Sequence, residues 1–226
     1  IVAGDIDENE VFANVEKHFK DIKNTKDIPS ELHTVEPKQD GEKRVVINKE
    51  SAVQMLAITY HIPTFEHEDH VALSALSELL SSGKSSILQK KLVDEKRLVN
   101  TIYAYNMDLK DPGLFMFMAV ANEGVHAKEI EKEILDTIAQ IKKGEISQKD
   151  IDKIKINTKA DFIFSLESST EVASLYGSYF VRDNIKPLLN YEKTVDKLTK
   201  EDLINVAKKY LIKSNSTTVI LKQEEK

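Results

Sequence analysis

The sequence predicts an α+β fold, a mixed and mainly antiparallel sheet covered by helices. Three observations carry that prediction. Strand-like runs come in adjacent pairs: "RVVINKE" with "AVQMLAITYHIP", and "VNTIYAYNMDL" with "GLFMFMAVANEG". Helix-period segments follow each pair instead of alternating with single strands. A lone strand, "STTVILKQ", closes the chain. Hairpins therefore dominate over βαβ crossovers, which puts the helices on one face of the sheet.

Taken in order, "IVAGD" is a short apolar run that reads as a strand and stops at Gly4. "DIDENEVFANVEKHFKDI" is a helix, with Asp7 as cap and Glu8 and Glu10 suiting its positive end. Val11, Val15 and Phe19 fall four apart, with Phe12 beside them, on one apolar face. Residues 23–43 hold two prolines and many charges without apolar periodicity, the composition of a linker. In the first strand pair, the second member is partly apolar on both faces, so it is expected to be central, and Pro63 ends it.

"EHEDHVALSALSELLSSG" is a helix with Val71, Leu73, Leu76, Leu79 and Leu80 inward and Gly83 at its end; "SSILQKKLVDEKR" is a second, shorter one. "KDPG" turns the second strand pair into a hairpin. In "VHAKEIEKEILDTIAQIKKG", Ile130, Ile134, Ile138 and Ile141 stack along an amphipathic helix closed by Gly144. Ser147 with Asp150, and Thr199 with Asp202, are capping-box pairs that start two further helices. "STEVASLYGSYFVRD" and "NYEKTVDKL" are helical between them.

The bulk composition narrows the function. With 41% hydrophobic and 31% charged residues, the 226-residue chain is globular in type. A net charge of −6 disfavours nucleic-acid binding through a basic face. No cysteine is present, so disulfides and thiolate metal sites are excluded, while the compartment stays undecided. No apolar run approaches the roughly 20 residues that span a bilayer. The chain opens on "IVAGDIDENE" without initiator Met or charged leader, and is expected to be a piece of a longer protein.

Candidate chemistry begins with "TFEHEDHVAL", where His67 and His70 are three apart. On a helix they share a face, and zinc proteases use histidine pairs at about this spacing. Those enzymes need four-residue spacing and a glutamate placed to activate water; here both intervening residues are acids. The stretch is better read as the acid-rich first turn of a helix, Glu66, Glu68 and Asp69 at its positive end and the histidines solvated. "SSGKSS" resembles a phosphate-binding loop, but Glu78 stands where the first glycine is needed and no strand precedes it. No Gly-x-Ser-x-Gly elbow occurs. "KKYLIKSNS" reads as a solvated helix end, and "FMFMAV" as a core or interface strand.

Four segments in order resemble one family. "IVAGDIDENEVFANVEKHFKDI" looks like its strand, Gly-Asp and helix at the end of a first domain. "HIPTFEHEDHVALSALSELLSSGKSSILQKKLVDEKRLV" looks like the helix pair of its second domain. "TIYAYNMDLKDPGLFMFMAVANEG" looks like its hairpin, and "VDKLTKEDLINVAKKYLIKSNSTTVIL" like its closing helix and strand. The chain therefore resembles the pitrilysin-type zinc metallopeptidases, which include insulin-degrading enzyme and the mitochondrial processing peptidase, and most of all the short bacterial members.

The resemblance implies a clamshell-domain, processing-peptidase-like fold. It assigns residues 1–27 to the end of a preceding domain, 28–42 to a linker, and 43–226 to the second, non-zinc domain. Zinc is expected in a missing N-terminal catalytic domain bearing His-x-x-Glu-His, with no metal site in this chain. The family's substrate-binding pair, Arg and Tyr in Leu-Arg-x-x-x-x-Leu-x-Tyr, falls on Val93 and Asn100, aligned on Leu92 and Leu98. Val93 has no donor and Asn100 is shorter than Tyr, so the pair is degenerate here; Arg97 and Tyr103 are out of register. The implied partners are the missing catalytic domain, a homo- or hetero-dimer partner and a peptide substrate. The implied role is to shape the substrate chamber and subunit contacts. The alternative is a domain of a catalytically dead member used as an assembly subunit.

Overall fold

The computed structural model describes residues 1–23 and 36–223. The first segment forms helix α1 (Glu8–Phe19). Asp7 caps it as expected, its carboxylate accepting from Asn9 N–H at 2.8 Å and Glu10 N–H at 3.1 Å. None of the α1 residues is buried, so its apolar face of Phe12, Val15 and Phe19 is uncovered. The apolar run before it forms no strand. Strand geometry needs a neighbouring ladder. Here Ile1 instead reaches into a groove on the later helix that carries Gly177. Of the expected linker, residues 28–35 lie outside the described residues, as do 24–27 of the preceding segment; 36–42 are irregular.

Five strands form one sheet: β1 (Lys43–Lys49), β2 (Met55–Ile62), β3 (Val99–Asn106), β4 (Gly113–Ala121) and β5 (Ser216–Gln223). Their spatial order is β1-β5-β2-β4-β3. The β2–β4, β2–β5 and β3–β4 pairs are antiparallel, and β1–β5 is parallel. β2 is central, as its apolar pattern predicts. The loop joining β3 to β4 is wider than the expected "KDPG" turn. Gly113 closes it at a position where a Cβ would meet the Met107 carbonyl oxygen at 2.8 Å, so only glycine fits.

The α-helices after α1 are α2 (His70–Ser81), α3 (Ala127–Lys142), α4 (Gln148–Phe164), α5 (Ser169–Phe180), α6 (Lys186–Leu189), α7 (Tyr191–Lys197) and α8 (Lys200–Tyr210). The residues Leu56, Ile58 and Tyr60 of β2 and Phe115 and Phe117 of β4 meet Leu73, Leu76, Leu80, Ile130 and Ile134 from α2 and α3 in one core. Both capping boxes form: Ser147 with Asp150 and Thr199 with Asp202 satisfy first-turn donors reciprocally.

Three expectations change. The helix expected from Glu66 starts only at His70, and its first turn holds no acid. Asp69, at the cap position, makes no side-chain cap bond. Its carboxylate accepts instead from Lys209 Nζ at 2.6 Å and Tyr210 Oη at 2.7 Å, tying the start of α2 to the end of α8. "KKYL" is thus a docked helix end rather than a solvated one. His70 is also not solvated; it is buried.

The short helix after Gly83 is π-helical over Gln89–Glu95, with Lys96 N–H bonding the Lys91 carbonyl five residues back. It ends on Arg97 at φ 52°, where Leu98 N–H reaches Leu92 O at 2.8 Å in the manner of a Schellman cap. Lys91 and Lys96 both pair with Glu133 of α3, at 3.1 and 2.6 Å, which holds the wide turn against the core.

Candidate functional site

The two faces of the sheet differ. Even-numbered β2 residues and odd-numbered β4 residues are buried under the helices, while their alternates are half-exposed. Pairing register lines those alternates into rows across all five strands. One row runs Val45, Val219, Ala57, Met118, Tyr103; the next runs Ile47, Leu221, Met55, Val120, Thr101. A third begins at Lys43 and ends Thr59, Met116, Tyr105. Tyr103 and Tyr105 are 48% and 55% exposed, far more than any rings of the covered face. "FMFMAV" therefore serves both sides, its phenylalanines in the core and its methionines on the open face.

Val93 lies within the π-helical segment, half-buried and packed against the core. Asn100 is exposed on β3, where the β3–β4 register slips between Val99 and Thr101. The structure assigns no hydrogen bond to the Asn100 side chain and gives Val93 only packing contacts.

His67 and His70 do not share a helical face, because His67 precedes α2. His67 Nδ1 accepts the Asp69 N–H at 3.0 Å. His70 Nε2 faces Asp108 Oδ1 at 3.5 Å, and its Nδ1 faces Asn106 Nδ2 at 3.5 Å. Among the described residues no group of three or more His, Cys, Asp or Glu is arranged to hold a metal ion. These residues do not fit a zinc centre.

What they build is a polar seam. Arg182, just past α5, places Nη1 2.8 Å from Asp108 Oδ1 and donates through Nε to Ser178 O at 2.7 Å. Its guanidinium lies over Phe65 and Tyr179. Burial pushes the His70 pKa down; Asp108 opposes that and Arg182 adds to it. The imidazole thus stands between the Asp108 carboxylate and the Asn106 amide, whose Nδ2 also donates to Ser74 Oγ at 2.7 Å.

The seam borders a cavity of about 470 Å³ between α2, the end of β3, and α4, α5 and α7. Sequence patterning could not show it. Its members come from distant segments, from His70 to Leu198, and each alone reads as an ordinary helix or strand position.

A helix-backed sheet with one open face, and no metal constellation among the described residues, has close counterparts. The family model described as peptidase M16 inactive domain matches residues 1–158, and the chain belongs to this family. It is 44% identical over 225 residues to zinc protease PqqE of Helicobacter pylori, covering 98% of this chain and 50% of that protein. The crystal structure of a protease from Helicobacter pylori superposes with a TM-score of 0.93 at 43% identity, covering 97% of this chain and 54% of the other. A peptidase M16 inactive domain from Pseudomonas fluorescens shares the fold, with a TM-score of 0.73 at 18% identity over 84% of this chain and 45% of that one. The chain thus spans about half the length of the first relatives it matches.

Proposed function

We propose that this chain is the C-terminal, non-zinc domain of a zinc metalloendopeptidase acting on peptides, and that its open sheet face walls the substrate chamber. One observation carries the reading. The helices bury one face of the sheet, and the other presents cross-strand rows of Tyr, Met and branched aliphatic side chains with few charges. Such a surface suits an extended, unfolded peptide, because aromatic and thioether side chains adapt to varied sequences. Zinc and the water-activating carboxylate would come from a preceding domain. Residues 1–27 would belong to that domain, which is consistent with the uncovered apolar face of α1.

The degenerate positions Val93 and Asn100 supply no cationic donor for a peptide carbonyl. In this reading a partner subunit or another domain provides it. The test uses the protein extended to include its preceding domain. One zinc per chain and peptide cleavage are expected. Tyr103→Asp with Tyr105→Asp should lower kcat/KM by roughly tenfold with zinc content unchanged. Unchanged turnover would remove the chamber-wall role, and absence of both zinc and cleavage would favour an assembly subunit.

A further inference from the structure

The cavity between α2, β3, α4, α5 and α7 lies on the helix-covered side of the sheet, away from the open face. Its polar lining is one-sided. Glu78, Asp108 and Asp161 contribute carboxylates, and no lysine or arginine lines it. Arg182 compensates Asp108 from behind. That leaves Glu78 and Asp161 without a cation in the lining.

Three buried oxygens there have no hydrogen-bond partner: Asn106 Oδ1, Thr158 Oγ1 and Asp108 Oδ1, of which only the last faces a cation, Arg182 Nη1 at 2.8 Å. Asn106 is only 7% exposed. The orientation of its amide follows from the seam. Its NH2 donates to Ser74 Oγ at 2.7 Å and faces His70 Nδ1 at 3.5 Å, which leaves Oδ1 turned free. Buried acceptors without donors are rare and costly.

Apart from His70 and Ser74, Ser77, Ser81 and Ser82, the remaining wall is largely apolar. The rings of Phe162 and Tyr191 stand 5.3 Å apart, with Leu175 and Leu188 beside them. Burial, reinforced by Tyr179, Glu78, Asp108 and Asp161, pushes the Tyr191 phenol up to about 12.

We propose that this cavity binds a small organic cation, a primary ammonium carried on an apolar or aromatic body. An ammonium has three donors and no acceptor, matching a lining of free oxygens. Its charge answers the two uncompensated carboxylates, and its body fills the aromatic and aliphatic wall, where ring faces also favour a cation. An anion would meet repulsion. A hydrocarbon would leave Asn106 Oδ1 and Thr158 Oγ1 unpaired. A bare metal ion lacks a cage, since no three His, Cys, Asp or Glu are grouped to hold one among the described residues. The size suits a ligand of this kind.

The test titrates the chain with 2-phenylethylammonium, 2-phenylethanol and 3-phenylpropanoate, read by amide chemical shifts. Saturable shifts at Asn106, Thr158 and Tyr191 are expected with the ammonium compound, and roughly tenfold weaker or no binding with the other two. Asp161→Asn, at an exposed position that leaves folding intact, and Glu78→Gln should each weaken the ammonium compound by roughly threefold to tenfold. Equal binding of the alcohol, preference for the carboxylate, insensitivity to both variants, or no saturation by about 10 mM would each overturn the proposal.

Discussion

Arg182 Nη1 lies 2.8 Å from Asp108 Oδ1, while the same guanidinium sits 4.3 Å from the Phe65 ring centre and 4.4 Å from that of Tyr179. One side chain thus joins the end of α5 to the loop after β3 and to the turn before α2. It thereby ties α5 to the edge of the sheet at β3. Removing it leaves Asp108 uncompensated beside a buried histidine. Arg182→Met should destabilise the chain by about 2–3 kcal/mol in urea unfolding. Arg182→Lys should recover little of that, because an ammonium lacks the planar fork that bridges ring and carboxylate.

Acid sensitivity follows from two groups. Burial holds the His70 pKa below its ordinary 6.5, with Asp108 opposing and Arg182 assisting. The unfolded chain therefore binds a proton more readily than the folded one. The stability from neutral His70 is present above about pH 6.5 and is lost as pH falls toward the lower folded value. Asp69 adds a second step. Burial raises its pKa, but hydrogen bonds from Lys209 and Tyr210 outweigh that and hold it below 3.8. Its contribution is present above about pH 3.8 and disappears below it. Thermal melts from pH 8 to 5 should show a slope that His70→Gln flattens; an unchanged slope would reject the assignment.

The chain should not bind zinc tightly. His67 Nδ1 is occupied by a backbone N–H, and both nitrogens of His70 face protein partners. Metal analysis after dialysis should find far less than one zinc per chain. Stoichiometric zinc that vanishes in His67→Ala or His70→Ala would contradict this.

Asn100 is exposed at an irregular point of an edge strand, so Asn100→Ala should change stability by no more than about 0.5 kcal/mol. In the longer zinc-bearing protein proposed above it should leave KM unaltered. A several-fold rise in KM would show that Asn100 retains the substrate contact of the family position.

The two capping boxes offer a calibrated check on local structure. Ser147→Ala and Thr199→Ala should each cost about 1 kcal/mol. Their effects should add, since the two caps share no hydrogen-bonding group.

Much of the fold was legible because it is local. The Ile130, Ile134, Ile138 and Ile141 stripe, the Ser147 and Thr199 caps and the Phe–Met alternation of β4 are each decided within a few residues. The start of α2 departs from its local pattern for the same reason. Its acids fit a helix-dipole pattern, yet Asp69 is claimed by Lys209 and Tyr210 from the far end of the chain, and a local rule cannot see that pairing.

The sequence by itself determined the α+β class, the order of the elements and the family, since periodicity, caps and ordered motifs are carried by neighbouring residues. Only the tertiary structure decided where β5 inserts, between β1 and β2, and so which residues share the open face. It also decided that His70 is buried against Asn106 and Asp108 beside an acidic cavity. Those outcomes depend on contacts between distant segments, whose burial and electrostatics exist only once the chain has closed on itself.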